Sequence, residues 1–215
     1  MDLIFLSAII SILSLDITIA FQMLISSPIF ACPIIGWILG DVRTGFEVGF
    51  LFQLIWLGRI PAGAYIVPEG NIASMISTAL ILLHKEIGFP NTILTIVFME
   101  AIIISLIGAK LTLIYRKLNG KILNLTERLV RRIHFKFLLI LEVSSMFIFF
   151  LMIFITSILI FQGNQYLLPR MVPVIGHLFE DQFIVVKPVI LGIGLASIFP
   201  IFLKVMHRNA RKKIG

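Results

Sequence analysis

The stretch GWILGDVRTGFEVGFLFQLIWLGRIPAGAYIVPEGNIAS, residues 36–74, decides the fold, because polar and helix-breaking residues interrupt sequence that is otherwise apolar enough for lipid. Five glycines and prolines fall between Gly58 and Gly70, too many for one continuous helix. We therefore expect the backbone to unwind there. At membrane depth such backbone is tolerated only where it is buried in protein or lines a cavity. The pattern is typical of a solute site built on broken helices.

Two glycine pairs stand near the start of this stretch, each with three residues between its members. Gly36 and Gly40 form the first pair, and Gly45 and Gly49 form the second. Small residues at this spacing let helices approach closely. The polar residues 41–44 lie between the pairs, so the pattern predicts a tight helical hairpin.

The apolar pieces that flank the polar centre are short. Residues 28–39 and 72–83 hold 12 residues each. A helix of that length is about 18 Å long, less than the ~30 Å hydrocarbon core. The two pieces are therefore predicted to be half-helices or re-entrant segments.

Composition excludes an ordinary soluble domain. The chain has 215 residues, of which 59% are hydrophobic and only 13% are charged, and its mean hydropathy is +1.08. We predict an all-α, polytopic membrane protein: a helical bundle with re-entrant or broken helices around a central polar site. The predicted long spans are 3–25, 92–113, 137–161 and 188–205, with a loop over 162–187.

The net charge of +7 is concentrated in two regions. Residues 110–136 hold eight Lys or Arg against one Glu, and the tail from Lys204 adds five basic residues. Because both regions adjoin membrane segments, the positive-inside rule places them in the cytoplasm and the loop 162–187 on the other side. This interpretation is preferred to nucleic-acid binding, and no nucleic-acid partner is expected.

The basic segment also has a helical pattern of its own. Over 118–134 an apolar stripe lies opposite most of the basic residues, which is typical of an interfacial helix on anionic lipid; a docking surface for a cytosolic partner is the alternative. The predicted organisation is one integral membrane domain. Its parts are listed in order: a solute-site core 1–109, the basic interfacial helix 110–136, two further spans within 137–206, and a basic tail 207–215.

Polar residues at membrane depth are the candidates for the site, since each unsatisfied polar group there costs roughly several kcal/mol. Amides and carboxylates suit a sugar, whose hydroxyls both donate and accept hydrogen bonds. For Thr18, Gln22 and Ser26, an interhelical hydrogen-bonding stripe is the alternative. Cys32 is interpreted as a packing residue, and no metal site, cofactor or catalytic residue is expected. The predicted solute-binding residues are Gln53, Glu69, Asn71, Gln22 and Asp16, with Arg59 in the same polar segment.

The same residues carry a resemblance to a known family. They are Leu15-Asp16, Gln22, Pro28, the run Ile35–Asp41 with Thr44-Gly45, Leu57-Gly58, Pro61–Ala64, Pro68-Glu69 and Ala73-Ser74. As an ordered set they resemble the IIC membrane subunit of the mannose/fructose/sorbose class of bacterial sugar phosphotransferase systems.

This resemblance implies a permease subunit of the bacterial cytoplasmic (inner) membrane that translocates a hexose. It implies a hetero-oligomer with a IID membrane subunit, served by cytosolic IIA and IIB proteins that pass phosphate from phosphoenolpyruvate to the sugar. Histidines of IIA and IIB carry the phosphate in that class, so no phosphoryl-carrying residue is expected here.

Two other functions stay open at this point. The chain departs from the family pattern at Gln53, where a glutamate is usual, at Glu69, where an aspartate is usual, and at Arg59, and it stops at Gly215 where members continue. A transport-inactive assembly or regulatory membrane subunit is therefore the alternative. An intramembrane lipid-modifying enzyme using Glu69 and His84 is the third hypothesis, without a metal spacing to support it.

Overall fold

The computed structural model describes residues 2–18, 23–57, 69–129, 135–197 and 199, and every regular element among them is helical. The all-α prediction is thereby confirmed for this part of the chain. Short 3₁₀ turns, Lys85–Ile87 and Gln182–Val185, precede the fifth and seventh helices. The helices are α1 (Leu3–Thr18), α2 (Pro28–Ile38), α3 (Val42–Leu57), α4 (Gly70–Leu83), α5 (Pro90–Leu129), α6 (Phe135–Phe179) and α7 (residues 186–197).

The predicted helical hairpin is formed by α2 and α3. A Cβ atom on Gly45 would lie 2.9 Å from the Cα of Gly36 and 2.7 Å from the carbonyl oxygen of Cys32. One on Gly49 would lie 2.5 Å from the carbonyl oxygen of Pro28. Close packing through these glycines is thus confirmed, because no larger residue fits without moving backbone.

Gly40 differs from the other three glycines. Its φ is +81°, and no described atom lies within 4 Å of where its Cβ would be. Gly40 therefore allows the left-handed turn between α2 and α3. Its predicted role in helix packing is wrong.

Helix α4 forms the centre of the bundle and, with α2, accounts for the two predicted half-helices. The helices have 14 and 11 residues. All residues of α4 from Ile72 to Leu82 are buried, against α1, α2, α3, α5 and α6. The core around it includes Phe52, Ile76, Leu80, Val97 and Phe149.

The prediction of a first span reaching Ile25 is wrong. Helix α1 ends at Thr18, and Leu24 has a φ of 63°. The carboxylate of Asp16 accepts hydrogen bonds from the backbone N–H groups of Met23 and Ser26. In a continuous helix those groups would lie about 10 Å and 15 Å along the axis from Asp16, so no straight helix runs on to Ile25. Ser26 consequently shares no helical face with Thr18.

The two long helices exceed the thickness of a membrane. Helix α5 has 40 residues and α6 has 45, lengths of about 60 Å and 68 Å at 1.5 Å per residue. Their apolar parts, Pro90–Ile122 and Leu139–Phe179, are each long enough to span. Residues 118–129 continue α5, so the predicted interfacial segment begins as part of this helix, and its placement against lipid stays a prediction.

The predicted loop over 162–187 is also wrong for most of its length, because α6 continues to Phe179 through Pro169 and Pro173. Each proline removes one intrahelical hydrogen bond. Apolar neighbours and the need to pair backbone groups in hydrocarbon keep the segment helical nevertheless. The turn to α7 begins only at Glu180, and α7 starts at residue 186, two residues before the predicted last span.

Candidate functional site

The predicted site residues lie where α1 and α3 end and α2 and α4 begin. Four of the five are described by the structure: Asp16, Gln53, Glu69 and Asn71. Gln22, Arg59 and the unwinding predicted over Gly58–Pro68 lie outside the described residues.

Asp16 and Asn71 are brought together through Ser26. The Asp16 side chain is buried, and its Oδ1 accepts a hydrogen bond from the Met23 N–H at 2.7 Å. Its Oδ2 accepts from the N–H and the hydroxyl of Ser26, at 3.1 Å and 3.2 Å. Ser26 Oγ in turn accepts a bond from Asn71 Nδ2 at 3.4 Å. Asp16 therefore fixes the turn that leads into α2, and Asn71 ties α4 to that turn.

Gln53 reaches the start of α2 from the last turns of α3. Its Oε1 accepts the N–H of Ile29 at 3.4 Å, a long bond to one of the donors that the first turn of a helix leaves without an intrahelical partner. Its Nε2 has no partner among the described residues. A donor on Gln53 is therefore free to bind a ligand.

Glu69, immediately before α4, is directed toward α5. Its N–H donates to the carbonyl oxygen of Ser105 at 3.0 Å, and its Oε1 accepts from the Thr112 hydroxyl at 2.8 Å. A Cβ on Gly108 would lie 2.7 Å from the Cβ of Glu69, so the glycine permits this approach. The charge of Arg116, one turn beyond Thr112, also acts on the Glu69 carboxyl. One side of α5 thus holds Glu69.

The predicted set is therefore divided by the start of α4. Asp16, Gln53 and Asn71 face the turn between α1 and α2, whereas the carboxyl of Glu69 faces α5. The two groups are joined through only one residue of backbone, Gly70. A ligand that contacts both must lie across the start of α4.

Trp56 holds α3 against this start of α4. Its Nε1 donates to Ser74 Oγ at 3.0 Å, and that hydroxyl donates to the carbonyl oxygen of Gly70 at 2.6 Å. A Cβ on Gly70 would overlap the Trp56 indole ring, so glycine is required there. The helix ends around the site are thus positioned by side-chain contacts as well as by packing.

The site contains both hydrogen-bond donors and hydrogen-bond acceptors that are free to bind a ligand. Besides Gln53 Nε2, the atoms Asn71 Oδ1 and Glu69 Oε2 have no hydrogen-bond partner within the described part of the chain. Such a mixture matches the hydroxyls of a sugar. Across the same residues, no three His, Cys, Asp or Glu side chains are grouped so as to hold a metal ion.

Sequence reasoning missed the residues that position these groups. Ser26 and Asn71 are 45 residues apart, and Thr112 and Glu69 are 43 apart. The sequence pattern puts Ser26 on a helical stripe with Thr18, and Thr112 is one hydroxyl within an apolar span. A hydroxyl in an apolar run is a signal that a partner is needed, but its periodicity does not say which partner.

The profile of EII-Sor, PTS system sorbose-specific IIC component, matches residues 1–210 of this chain. The chain belongs to this family. The resemblance seen in the sequence is thereby confirmed, and the protein is a phosphotransferase-system IIC component with the helical membrane fold of that permease family.

Named relatives of this IIC component share shorter stretches with it. The mannose-specific EIIC component of Escherichia coli K12 is 40% identical over 62 residues, covering 28% of this chain and 23% of that protein. The sorbose-specific EIIC component of Klebsiella pneumoniae is 30% identical over 120 residues, 55% of this chain and 42% of its own. The fructose permease IIC component of Bacillus subtilis is 28% identical over 119 residues, with the same coverages of 55% and 42%. The matched part of the chain thus spans less than half the length of these curated relatives.

Two solved structures share the fold of the IIC component. One, described as a membrane protein, has a TM-score of 0.72 at 22% identity and is aligned over 93% of this chain and 78% of its own. The other is a cryo-EM structure of the mannose transporter ManYZ with microcin E492; its TM-score is 0.63 at 21% identity, over 93% and 77% of the two chains. At these identities the likeness concerns the fold alone.

Proposed function

We propose that this IIC component binds a hexose at the start of α4 and passes it inward for phosphorylation by a IIB partner, with phosphoenolpyruvate as the phosphate source. The observation that carries the proposal is the linked chain Asp16–Ser26–Asn71, which lies beside the free amide donor of Gln53. Family membership supports a sugar as the solute.

The arrangement suits a polyhydroxy ligand for a physical reason. Asp16 is fully engaged with the turn, so it contributes rigidity to the site, and the contacts with sugar hydroxyls fall to Asn71 and Gln53. Glu69 Oε2 adds an acceptor on the α5 side, and Gln22 completes the predicted set. A site held in place before the ligand arrives loses less entropy on binding.

The proposal includes partners. A IID membrane subunit would pack on the lipid-facing helices, and cytosolic IIA and IIB proteins would deliver phosphate, making the working unit a hetero-oligomer. The likeness to a chain in the ManYZ assembly supports a membrane partner. The phosphoryl carriers belong to IIA and IIB in this scheme.

Orientation is also part of the proposal. Lys110, Arg116, Lys117 and Lys121 are exposed along the later part of α5. We infer that residues 116–136 and the C-terminal tail lie on the cytoplasmic side of the inner membrane, against anionic lipid. In a Cys32→Ala background, an impermeant thiol reagent applied to intact cells should label Cys introduced at Gln182 and spare Cys introduced at Asn124. Labelling of the Asn124 position from outside would reverse the assigned topology.

The sugar site is tested by titrating the purified complex with a panel of hexoses by calorimetry. Asn71→Leu removes an amide from the site and should weaken binding by about tenfold or more, since ~1.4 kcal/mol corresponds to one decade. Asn91→Leu is the matched control, because Asn91 is likewise the second residue of its helix, α5, but belongs to a different cluster. It should leave sugar affinity unchanged.

Gln53→Glu distinguishes the proposed function from its alternative. If the amide contacts sugar, the change should alter affinity or preference among hexoses. An intact wild-type complex that binds no hexose would contradict transport and support a transport-inactive assembly or regulatory subunit. Equal hexose affinity of the wild type and Asn71→Leu would instead show that the sugar does not bind at the start of α4.

A further inference from the structure

A second polar pair lies between α5 and α6, apart from the proposed sugar site. Asn164 Nδ2 donates to Glu100 Oε1 at 2.5 Å and to the carbonyl oxygen of Ile160 at 3.1 Å. Asn164 is 3% exposed. The two remaining side-chain oxygens, Glu100 Oε2 and Asn164 Oδ1, are buried and have no partner among the described residues.

Both of these oxygens are acceptors when Glu100 is ionised. Glu100 lies ten residues into α5, a depth of about 15 Å along the helix, and Val97, Ala101 and Phe161 nearby along the two helices are buried apolar residues. Two buried acceptors without a donor are costly, and a charge in such surroundings is more costly still. The amide nitrogen cannot help, since both of its hydrogens are already donated.

A single hydrogen on Glu100 Oε2 would supply the donor that these two acceptors lack. A carboxylic acid and a primary amide can form two hydrogen bonds head to head, with amide N–H to the acid carbonyl and acid O–H to the amide carbonyl. The first of these bonds is present between Asn164 Nδ2 and Glu100 Oε1. The second requires an acid proton on Glu100 Oε2 that is donated to Asn164 Oδ1, the other orphaned oxygen.

We propose that Glu100 is a proton-binding site of this IIC component, held as a neutral acid whose O–H donates to Asn164 Oδ1. The site links α5 to α6 and does not depend on the proposed sugar function. His84, at the end of α4, is the titratable group whose charge acts on Glu100. Its Nδ1 lies 2.9 Å from the carbonyl oxygen of Leu80, so that nitrogen carries a hydrogen.

Infrared difference spectroscopy of the purified protein at neutral pH tests the proposal. A carboxylic acid has a C=O stretching band that a carboxylate lacks, and the band shifts in D₂O. Glu100→Gln replaces the acid O–H by an amide N–H donor and so preserves both bonds. The wild-type spectrum should contain an acid band that is lost in Glu100→Gln and retained in His84→Gln. Glu86→Gln, which changes an exposed carboxylate, should leave the band in place.

Asn164→Leu provides a second variant. Because it removes the bonding partner, the same acid band should move to a different frequency. Heat stability gives an independent measure: that of the wild type should fall as the pH is raised and the proton is removed, whereas Glu100→Gln has no such proton to lose.

Three results would overturn the proposal. One is a Glu100→Gln spectrum that has lost only carboxylate bands. Another is a wild type stabilised by sodium ions when Glu100→Gln is not, which would assign the pair to a metal cation. The third is an acid band that appears in His84→Gln but not in the wild type, which would show that His84 normally keeps Glu100 ionised.

Discussion

Two regions of the molecule differ in packing and in how their polar side chains are hydrogen-bonded. One consists of the short helices α2, α3 and α4, and the other of the long helices α5 and α6. In the first region the packing is so close that Gly49 has no room for one carbon atom beside Pro28. In the second, only 22% of the most apolar stretch of α6 is buried, and that of α5 is 50% buried. Of the short helices, α4 is enclosed by protein, whereas α2 and α3 also expose large apolar side chains such as Trp37 and Phe46.

The polar side chains follow the same division. Around the short helices several of them bond to backbone N–H groups of turns and helix starts, as Asp16 does with Met23 and Ser26 and Gln53 does with Ile29. Between the long helices they bond to each other, as Tyr115 does with Ser145. Breaking a helix in the membrane thus requires side chains as substitutes for backbone partners, and a continuous helix leaves its polar side chains free to join neighbours.

Glycine substitutions should show the largest contrast between the regions. Gly49→Ala places a methyl group 2.5 Å from a carbonyl oxygen of the adjacent helix and should lower stability by about 1–3 kcal/mol, with Gly49→Leu worse. Gly163→Ala, on α6, meets no described atom within 4 Å and should raise stability by about 1 kcal/mol through helix propensity. Thermal unfolding in detergent measures both. If the two alanine variants changed the stability equally, the two regions would not differ in how closely their glycines are packed.

Substitution of Glu180 tests whether the ends of the long helices also need side chains to bond their free backbone N–H groups. The Glu180 carboxylate accepts the N–H groups of Asn91 and Thr92, each at 2.9 Å, and the Thr92 hydroxyl at 2.7 Å, thereby capping α5 from beyond the end of α6. Glu180→Gln should cost about 1–2 kcal/mol, the scale of a lost N-cap. Asp181→Asn, next to it and exposed, is the control and should cost little.

The pH dependence of this cap has a defined sign. Burial raises the pKa of Glu180, but the hydrogen bonds from Thr92 and Asn91 lower it by more, so the pKa lies below its ordinary value. The stabilisation is therefore complete above the unfolded pKa of about 4.3 and is lost as the pH falls through the folded pKa. The gap between wild type and Glu180→Gln should narrow in acid. A gap that widens in acid would contradict the capping role.

Tyr115→Phe gives a smaller effect within the contact between α5 and α6. It removes the 2.6 Å bond to Ser145 Oγ and a long 3.4 Å bond from Asn119 Nδ2, and it leaves the 2.8 Å bond from Ser145 to Asn119 in place. The expected loss is about 0.5–1.5 kcal/mol. Tyr166→Phe, at a residue 70% exposed, should be neutral. If the two variants were equally stable, this polar contact would not hold the long helices together.

The smallest effect is expected at the exposed pair Lys187 and Glu47, which connects the start of α7 to α3. The charged atoms are 2.6 Å apart, but the side chains are 43% and 47% exposed. Lys187→Gln should cost no more than about 1 kcal/mol. The difference should vanish near 1 M salt, where the Debye length is about 3 Å. A larger, salt-insensitive loss would place this pair with the buried contacts.

The sequence predicted the region of broken helices better than the continuous one. Glycine and proline mark the ends of α2 and α4 because few other residues suit those backbone conformations. The break between α1 and α2 is not predicted, since no glycine or proline lies between Thr18 and Pro28 and the break depends on hydrogen bonds from Met23 and Ser26 to Asp16. The opposite error occurred at Pro169 and Pro173, where apolar neighbours keep α6 helical.

The partners of the predicted site residues could not be predicted for the same reason. Local composition identified Asp16, Gln53, Glu69 and Asn71 as costly in lipid. Their partners are set by the fold: Glu69 is held by Thr112 of α5, which no local pattern connects to it. The sequence alone identifies polar residues that need a hydrogen-bond partner, but the fold is required to identify the partner.

The burial of α4 also affects how the protein is made. A segment of 14 residues is too short to cross the bilayer by itself, and it leaves the ribosome before α5 and α6, which cover it. Until α5 and α6 have been synthesised, we expect the surface of α4 that they cover in the complete fold to be exposed. Membrane proteases and chaperones meet the chain in that interval, and a truncation before α6 should produce a rapidly degraded fragment.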